Sequence, residues 1–312
     1  MNSRAGLALI AATAVAPIAW GTTYAVTTEF LPADAPMLTS LLRALPAGLL
    51  LLALTHTLPR GDWWWRASVL GVLNVGAFFP LLFLGAYRLP GGVAATIGAV
   101  QPLIVVLLAS VKLGERVTPL KLGAGVAGVL GVGLLVLTPA ATLDILGVFA
   151  AVAGAVLMAI GVTLTKAWKA PVPPLTLTAW QLTAGGLFLV PIALWEGRPE
   201  AGFTWGAVGG YLWLGLVGTV LAYSLWFRGI GHLEASVVTF LSLLTSVTAA
   251  GIGWLWLGQS LTLWQLLGGA VALGAVTAVS LTGLKPQARA AGPSRIETPR
   301  RIRESQTSPR SP

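Results

Sequence analysis

A short hairpin motif occurs twice in the chain and constrains its fold more than any other feature. Leu-Gly-Glu-Arg-Val-Thr at residues 113–118 recurs 144 residues later as Leu-Gly-Gln-Ser-Leu-Thr at residues 257–262. Three cations around the first copy are replaced in the second, where Lys112, Arg116 and Lys121 become Trp256, Ser260 and Gln265. Cytoplasmic loops of membrane proteins collect Lys and Arg, whereas outer loops lose them. The motif therefore predicts two related halves in opposite orientations across a bilayer, an architecture typical of transporters.

The composition supports a membrane location. Hydrophobic residues make up 56% of the chain and charged residues 9%, whereas a soluble domain carries roughly 25% charged residues. A spanning helix needs about 20 mostly apolar residues. Ten such runs are present, at residues 5–28, 35–55, 67–87, 89–111, 119–137, 145–165, 174–195, 205–227, 235–257 and 261–283. The prediction is an all-α polytopic membrane protein with ten transmembrane helices, arranged as two inverted five-helix repeats.

The distribution of cations predicts the orientation of these helices. With the N-terminus inside, 16 of the 19 Lys and Arg residues fall on the cytoplasmic side, only Arg88 and Arg198 fall outside, and Arg43 lies within the second run. Both termini are therefore expected in the cytoplasm of a bacterial inner-membrane protein. The net charge of +9 is explained by this bias and by anionic lipid, so the expected partner is the lipid bilayer and not nucleic acid.

The ten runs divide into a first repeat at residues 1–140 and a second at residues 141–283. In the second helices Pro36 aligns with Pro174, Arg43 with Gln181 and Gly48 with Gly186; in the third and eighth, Phe79 falls on Tyr223. An odd number of helices in each repeat requires opposite orientations if the halves are homologous. Coincidence among helices rich in Gly, Leu and Ala is the alternative. Residues 284–312 form a basic, apolar-poor cytoplasmic tail that we expect to be disordered.

Several motifs resemble the EamA family of the drug/metabolite transporter superfamily. They are Trp20-Gly21-Thr22-Thr23, Arg43, Gln101-Pro102, the hairpin at 113–118 and Ala179-Trp180-Gln181. The resemblance covers residues 5–283. It implies a ten-helix inverted-repeat fold with a central cavity, which exports or exchanges small metabolites such as amino acids, nucleosides or pigments. The second copy departs from the family pattern at Gln259, where Glu is usual, and at Ser246, where Pro is usual.

Aromatic and small polar residues within the runs are candidate substrate-binding residues. Polar groups in hydrocarbon favour the bundle interior, where they find partners or water. The candidates, apart from Arg43, are Trp20, Thr23, Tyr24, Asn74, Phe79, Gln101, Gln181, Tyr223, Trp226, Ser242 and Thr245. Gln101 and Thr245 are equivalent in the repeat. The competing interpretation is helix–helix hydrogen bonding and interfacial anchoring by Trp.

Three further features have two interpretations each. Arg43 is either a carboxylate-recognising charge near the outer mouth, or a structural cation held by Glu29, Asp34 or helix-end carbonyls. Glu115 is either a functional carboxylate or, as we favour, part of a hairpin stabilised by local ion pairs. The glycines of the fifth and tenth helices indicate close packing, against other helices or at a homodimer seam.

These features predict a secondary transporter, not an enzyme, for small amphipathic metabolites such as amino acids or aromatic compounds. The chain has no phosphate-binding Gly-x-x-x-x-Gly-Lys motif and no Cys, and we expect no catalytic residues, metal site or cofactor. Transport down a gradient or by exchange is favoured, with ion coupling through Glu29 or Glu234 as the alternative. Other hypotheses are a membrane-embedded enzyme acting on lipid-linked substrates and a channel or sensor.

Overall fold

Ten helices, α1–α10, account for the regular structure of the part of the chain that is described. The structure is a computed structural model and describes residues 3–32, 35–89, 91–136, 144–197, 204–256, 258 and 260–282. Each of the ten is long and apolar enough to cross a membrane. Five are continuous: α2 (Pro36–Thr55), α5 (Pro119–Val136), α6 (Ile145–Ala167), α7 (Pro174–Glu196) and α10 (Leu263–Thr282). The predicted all-α, ten-helix fold of two inverted five-helix repeats is confirmed.

The other five helices are interrupted, and each is described by its segments. They are α1 (Ser3–Gly21 and Thr23–Phe30), α3 (Trp63–Gly71, a π-helical segment Val72–Gly76, and Phe78–Arg88), α4 (Gly91–Gly98 and Gln101–Leu113), α8 (Trp205–Leu212, a π-helical segment Trp213–Leu221, and Ala222–His232) and α9 (Ala235–Leu241 and Leu244–Leu255). The third run was predicted to begin at residue 67, which is wrong by one turn. Trp63 already lies in α3, where it is buried against Trp180.

The interruptions of α4 and α9 fall at equivalent positions of the two repeats. The second segment of α4 begins at Gln101 and that of α9 at Leu244, next to Thr245, the counterpart of Gln101. In α4 the local cause is Pro102, which has no N–H to donate to the preceding turn. In α9 the hydroxyl of Ser242 donates to the carbonyl of Thr239 at 2.6 Å, and such side-chain bonds compete with the helical backbone pattern.

The π-helical segments and the helix ends repeat in the same way. The segment Val72–Gly76 of α3, moved by 144 residues, falls within the segment Trp213–Leu221 of α8. Gly114 and Gly258 are also related by 144 residues, and both adopt a left-handed conformation, with φ of 68° and 63°. Glycine takes this conformation without the steric cost that a Cβ imposes, so both copies of the hairpin motif begin with the same sharp turn.

The helices α2 and α7 cross at a pair of symmetry-related glycines. A Cβ on Gly48 would lie 2.5 Å from the Thr183 backbone nitrogen, and a Cβ on Gly186 would lie 2.7 Å from the Leu45 Cα. Leu45 and Thr183 are related by the same shift that aligns Gly48 with Gly186. The two contacts are therefore symmetry-related copies of each other, as expected at a pseudo-twofold axis.

Glycines also bring α5 and α10 together within the chain. A Cβ on Gly131 would lie 2.8 Å from the Ala272 nitrogen, and one on Gly268 would lie 2.5 Å from the Gly131 oxygen. The close-packing interpretation therefore holds between helices of one chain. A Cβ on Gly123 or on Gly274 would meet no atom of the described residues within 4 Å, so a homodimer seam at that surface stays a prediction.

Two ends of the bundle are distinguished below. The end that carries Arg60, Lys112, Lys121 and Lys166 is called the basic face, and the other is called the opposite face. The core lies between them and is built from buried side chains of both repeats. The predicted tail, residues 284–312, lies outside the described residues.

Candidate functional site

Four of the predicted site residues form one aromatic cluster in the bundle interior. Trp20 of α1 lies 5.1 Å from Tyr223 and 5.0 Å from Trp226 of α8, measured between ring centroids. Phe79 of α3 lies 6.2 Å from Tyr223 in an edge-to-face arrangement, a geometry that aromatic rings favour. Phe79 and Trp226 are fully buried and Tyr223 is 2% exposed. These four residues, Trp20, Phe79, Tyr223 and Trp226, are called the aromatic cluster below.

Arg43 extends from α2 into contact with this cluster. Its guanidinium carbon lies 4.8 Å from the centre of the Phe79 ring. Nε donates to the Thr219 hydroxyl and Nη2 donates to the Gly218 carbonyl, both at 3.2 Å. The Trp20 indole nitrogen donates to the same Gly218 carbonyl at 2.9 Å. Both oxygen acceptors lie in the π-helical segment of α8, and such segments are frequent at functional sites.

Among the described residues, the partners of Arg43 differ from those that the structural interpretation expected. Within the described residues Arg43 has no carboxylate partner, and its acceptors are in the middle of α8 and not at the end of a helix. Glu29, one proposed partner, lies exposed in α1, and Asp34, the other, lies outside the described residues. The sequence carried no signal for Thr219 as a partner, since 176 residues separate it from Arg43.

Asn74 and Gln181 form a second, polar cluster between α3, α6 and α7. The Asn74 amide nitrogen donates to the Gln181 side-chain oxygen at 2.6 Å and to the Thr165 hydroxyl at 3.2 Å. A Cβ on Gly161 would lie 2.1 Å from the Asn74 amide oxygen, so only glycine leaves room for this side chain. Thr165 and Gly161 were not predicted, because small residues of this kind are common in every helix of the chain.

The two clusters are related by the repeat. Gln181 is the counterpart of Arg43, and Asn74 in the π-helical segment of α3 is the counterpart of Gly218 in that of α8. In each repeat a polar side chain of the second helix therefore bonds to the π-helical segment of the third helix of the other repeat. The charge is present in only one of the two copies.

The remaining predicted residues lie at the helix interruptions. Thr23 is half-buried just after the turn in α1, and the side chain of Tyr24 lies outside the described residues. Gln101 is buried, and its amide nitrogen has no hydrogen-bond partner in the described chain. Ser242 and Thr245 are half-buried at the interruption of α9. None of these is bonded to the aromatic cluster within the described residues, so their role in binding stays a prediction.

A basic-face cluster, defined as Glu115, Lys121, Glu234 and Ser236, joins the first repeat to the second. The Lys121 amine donates to Glu234 at 2.7 Å and lies 3.8 Å from Glu115. Glu115 accepts from the backbone nitrogens of Ala235 and Ser236, at 2.6 and 3.3 Å, and from the Ser236 hydroxyl at 2.7 Å. A carboxylate at a helix N-terminus is stabilised by the unpaired amides and the helix dipole.

The predicted local ion pair is therefore only one of the contacts that Glu115 makes. Lys121 is a local partner, but the shorter contacts of Glu115 cross to the start of α9, about 120 positions away. Lys166 of α6 adds a parallel connection, since its amine donates to the carbonyls of Ile230 and Leu233 beside the same loop. The α8–α9 connection is thus held from three elements on the basic face.

A groove of about 610 Å³ opens on the opposite side of the bundle, between α1, α8 and α9. Its lining is almost entirely apolar or aromatic, including Phe30, Trp213 and Trp256, and Glu29 is the charged residue among the lining side chains. The Trp213 indole donates to the Thr22 hydroxyl at 2.8 Å, which ties α8 to α1 beside the groove. No sequence feature predicted this groove, because it depends on how three helix ends diverge.

Comparisons with known proteins agree with this architecture. The model of the EamA-like transporter family matches residues 6–137 and again residues 145–281. Protein PecM of Dickeya dadantii is 45% identical over 256 residues, covering 81% of this chain and 86% of that protein. The "Probable terminal-alkyne amino-acid exporter" of Streptantibioticus cattleyicolor is 25% identical, covering 73% and 77%. A solved crystal structure with 18% identity superposes with a TM-score of 0.75 over 89% of this chain and 99% of the other, and so shares the fold.

Proposed function

The chain belongs to the EamA-like transporter family, and we propose that it is a secondary carrier that exports or exchanges small amphipathic metabolites across a bacterial inner membrane. One observation carries the proposal. The interruptions of α3 and α4 recur at equivalent positions in α8 and α9. The π-helical segment of α8 carries the acceptors of Arg43, and that of α3 carries Asn74, which donates to Gln181. Interrupted helices around a site at the repeat interface are typical of carriers that work by alternating access.

The side chains of the interior favour an amphipathic substrate. The aromatic cluster supplies flat apolar surfaces, and Arg43 supplies a polar group in contact with one of them. The Asn74–Gln181 pair supplies further polar groups in the bundle interior. Sites of this composition stack the apolar body of a ligand and hydrogen-bond its polar end. A relative named as an exporter of an amino acid agrees with a substrate of this kind.

The basic-face cluster is the proposed inner gate. The excess of cations supports a cytoplasmic location of the basic face. The contacts of Glu115 and Lys121 join the first repeat to the α8–α9 connection there. An exporter has to release these contacts to admit substrate from the cytoplasm and to restore them before release outside. The groove beside α1, α8 and α9 lies at the other end, where release would occur.

Entrance counterflow in proteoliposomes tests this function. Liposomes preloaded with unlabelled aromatic amino acids are expected to take up the radiolabelled compounds with saturable kinetics, faster than empty liposomes. Trp226→Ala removes a fully buried ring of the aromatic cluster and should abolish the exchange, whereas Trp195→Ala removes a ring that is 91% exposed and should not. Flux that is linear in concentration would support a channel, and the absence of saturable exchange would contradict the proposal.

A further inference from the structure

The site around Arg43 contains hydrogen-bond donors without matching acceptors. The Arg43 terminal nitrogen Nη1 makes no hydrogen bond to a described residue, and neither does the Tyr223 hydroxyl. The buried Trp226 indole nitrogen likewise has no acceptor in the described chain. Because a buried donor is nearly always paired in folded proteins, the unpaired Trp226 indole of the aromatic cluster indicates that an acceptor is supplied from outside the chain.

The charge of Arg43 also indicates a binding partner from outside the chain. The side chain is 3% exposed, and both of its hydrogen-bond acceptors are neutral oxygens. A cation within a membrane-spanning segment is costly unless it pairs with an anion, and such residues commonly mark substrate pathways. The Phe79 ring and two neutral oxygens stabilise the guanidinium, but they leave its positive charge without a counter-ion among the described residues.

A purely structural role explains less of this arrangement. Gln181, the counterpart of Arg43 in the other repeat, makes the equivalent contact with a neutral amide. A neutral side chain is therefore sufficient to join the second helix of one repeat to the third helix of the other. The charge at position 43 needs a separate reason, and recognition of an anion supplies one.

We propose that Arg43, together with the Tyr223 hydroxyl and the Trp226 indole, forms a subsite for the carboxylate of the transported substrate. Nη1 of the guanidinium offers charge-assisted N–H donors to a carboxylate, and the rings of Trp20 and Phe79 flank the apolar part of the ligand. This inference rests on the proposed carrier function and narrows its substrates to aromatic or aliphatic carboxylates.

Binding of two matched probes to the purified full-length chain tests the subsite. The probes are 3-phenylpropionate and 3-phenylpropionamide, which share ring and chain and differ in charge, and the readout is the ligand-dependent shift of the thermal unfolding midpoint. Because a hydrogen bond to a charged group is stronger than one to a neutral group, wild-type protein should bind the carboxylate at least about tenfold more tightly than the amide. This comparison needs no variant and is independent of folding defects.

Variants then locate the source of the preference. Arg43→Gln should reduce the preference to within about twofold, and Arg43→Lys should keep part of it. Arg228→Gln removes an exposed cation of the same helix as Tyr223 and should retain the preference.

The outcomes separate this subsite from the carrier function. Equal binding of the two probes, no saturable shift with either, or an Arg43→Gln variant that keeps the preference would each overturn the carboxylate subsite. A clear preference without saturable exchange in proteoliposomes would instead overturn the carrier function and leave the subsite intact.

Discussion

Replacing Lys121 with methionine is expected to open the basic face of the protein. The Lys121 amine donates to Glu234 at 2.7 Å and lies 3.8 Å from Glu115, and the side chains of Lys121 and Glu115 are 5% and 9% exposed. A hydrogen bond between charged groups contributes about 1.5–3 kcal/mol. The open state should therefore gain roughly 10- to 150-fold in population relative to the closed state. Repulsion between the two remaining carboxylates acts in the same direction.

A single cysteine reports this opening directly. The chain contains no Cys, so Thr239→Cys introduces a unique thiol at a fully buried position, one turn along α9 from Ser236. Its labelling rate by a membrane-impermeant maleimide in inside-out vesicles follows the population of the open state when reclosing is fast. Lys121→Met should raise this rate by the factor given above.

Lys112→Met is the matched control for this experiment. Lys112 lies on the same hairpin, is exposed, and takes part in no ion pair of the described chain. Its replacement removes one cation from the basic face without touching the cluster, so the labelling rate should be unchanged. An unchanged rate in Lys121→Met, or an equal increase in both variants, would refute the gating role of the cluster.

Three further changes test other parts of the structure. Gly186→Ala places a methyl group 2.7 Å from the Leu45 backbone and should destabilise the protein by about 1–3 kcal/mol, which lowers its thermal unfolding midpoint in detergent. Gly274→Ala, at an open surface, should leave the midpoint unchanged. Equal midpoints of the two variants would contradict the α2–α7 crossing. Gln181→Leu removes the 2.6 Å hydrogen bond from Asn74. It should lower the stability by about 0.6–1.7 kcal/mol, the range of interhelical hydrogen bonds in membranes, and so lower the midpoint in the same assay. An unchanged midpoint would argue against a stabilising role of the polar cluster. Tyr223→Phe keeps the packed ring and removes a hydroxyl that has no hydrogen-bond partner in the described chain. The unfolding midpoint should therefore stay constant while carboxylate binding weakens. A lowered midpoint would show that the hydroxyl has a structural partner.

The number and approximate bounds of the helices were predictable because lipid imposes long apolar runs. Each of the ten runs contains one of the ten candidate spans or overlaps most of it. The interruptions were not predictable from hydropathy, since a skipped backbone bond at Ser242 or a π-helical turn at Asn74 leaves the composition of the run unchanged. The repeat of these features at a fixed separation became visible only with the backbone in place.

The members of the aromatic cluster were predictable from the sequence, but the hydrogen bonds of Arg43 beside it were not. Aromatic and polar residues inside apolar runs identified Trp20, Phe79, Tyr223 and Trp226, which the fold does bring together. The partners of Arg43 are a hydroxyl and a backbone carbonyl of a distant helix. A backbone carbonyl is present at every position of the chain, so residue types alone cannot single it out as an acceptor.

The opposite orientation of the two repeats is the premise of the proposed mechanism, and single-cysteine labelling measures it most directly. Arg116→Cys and Ser260→Cys place exposed thiols at equivalent positions of the two hairpins in a chain that has no other Cys. In intact cells a membrane-impermeant maleimide should label the variant at position 260 and not the one at position 116, and inside-out vesicles should reverse the result. Labelling of both variants from the same side of the membrane would contradict the inverted arrangement and the alternating-access mechanism built on it.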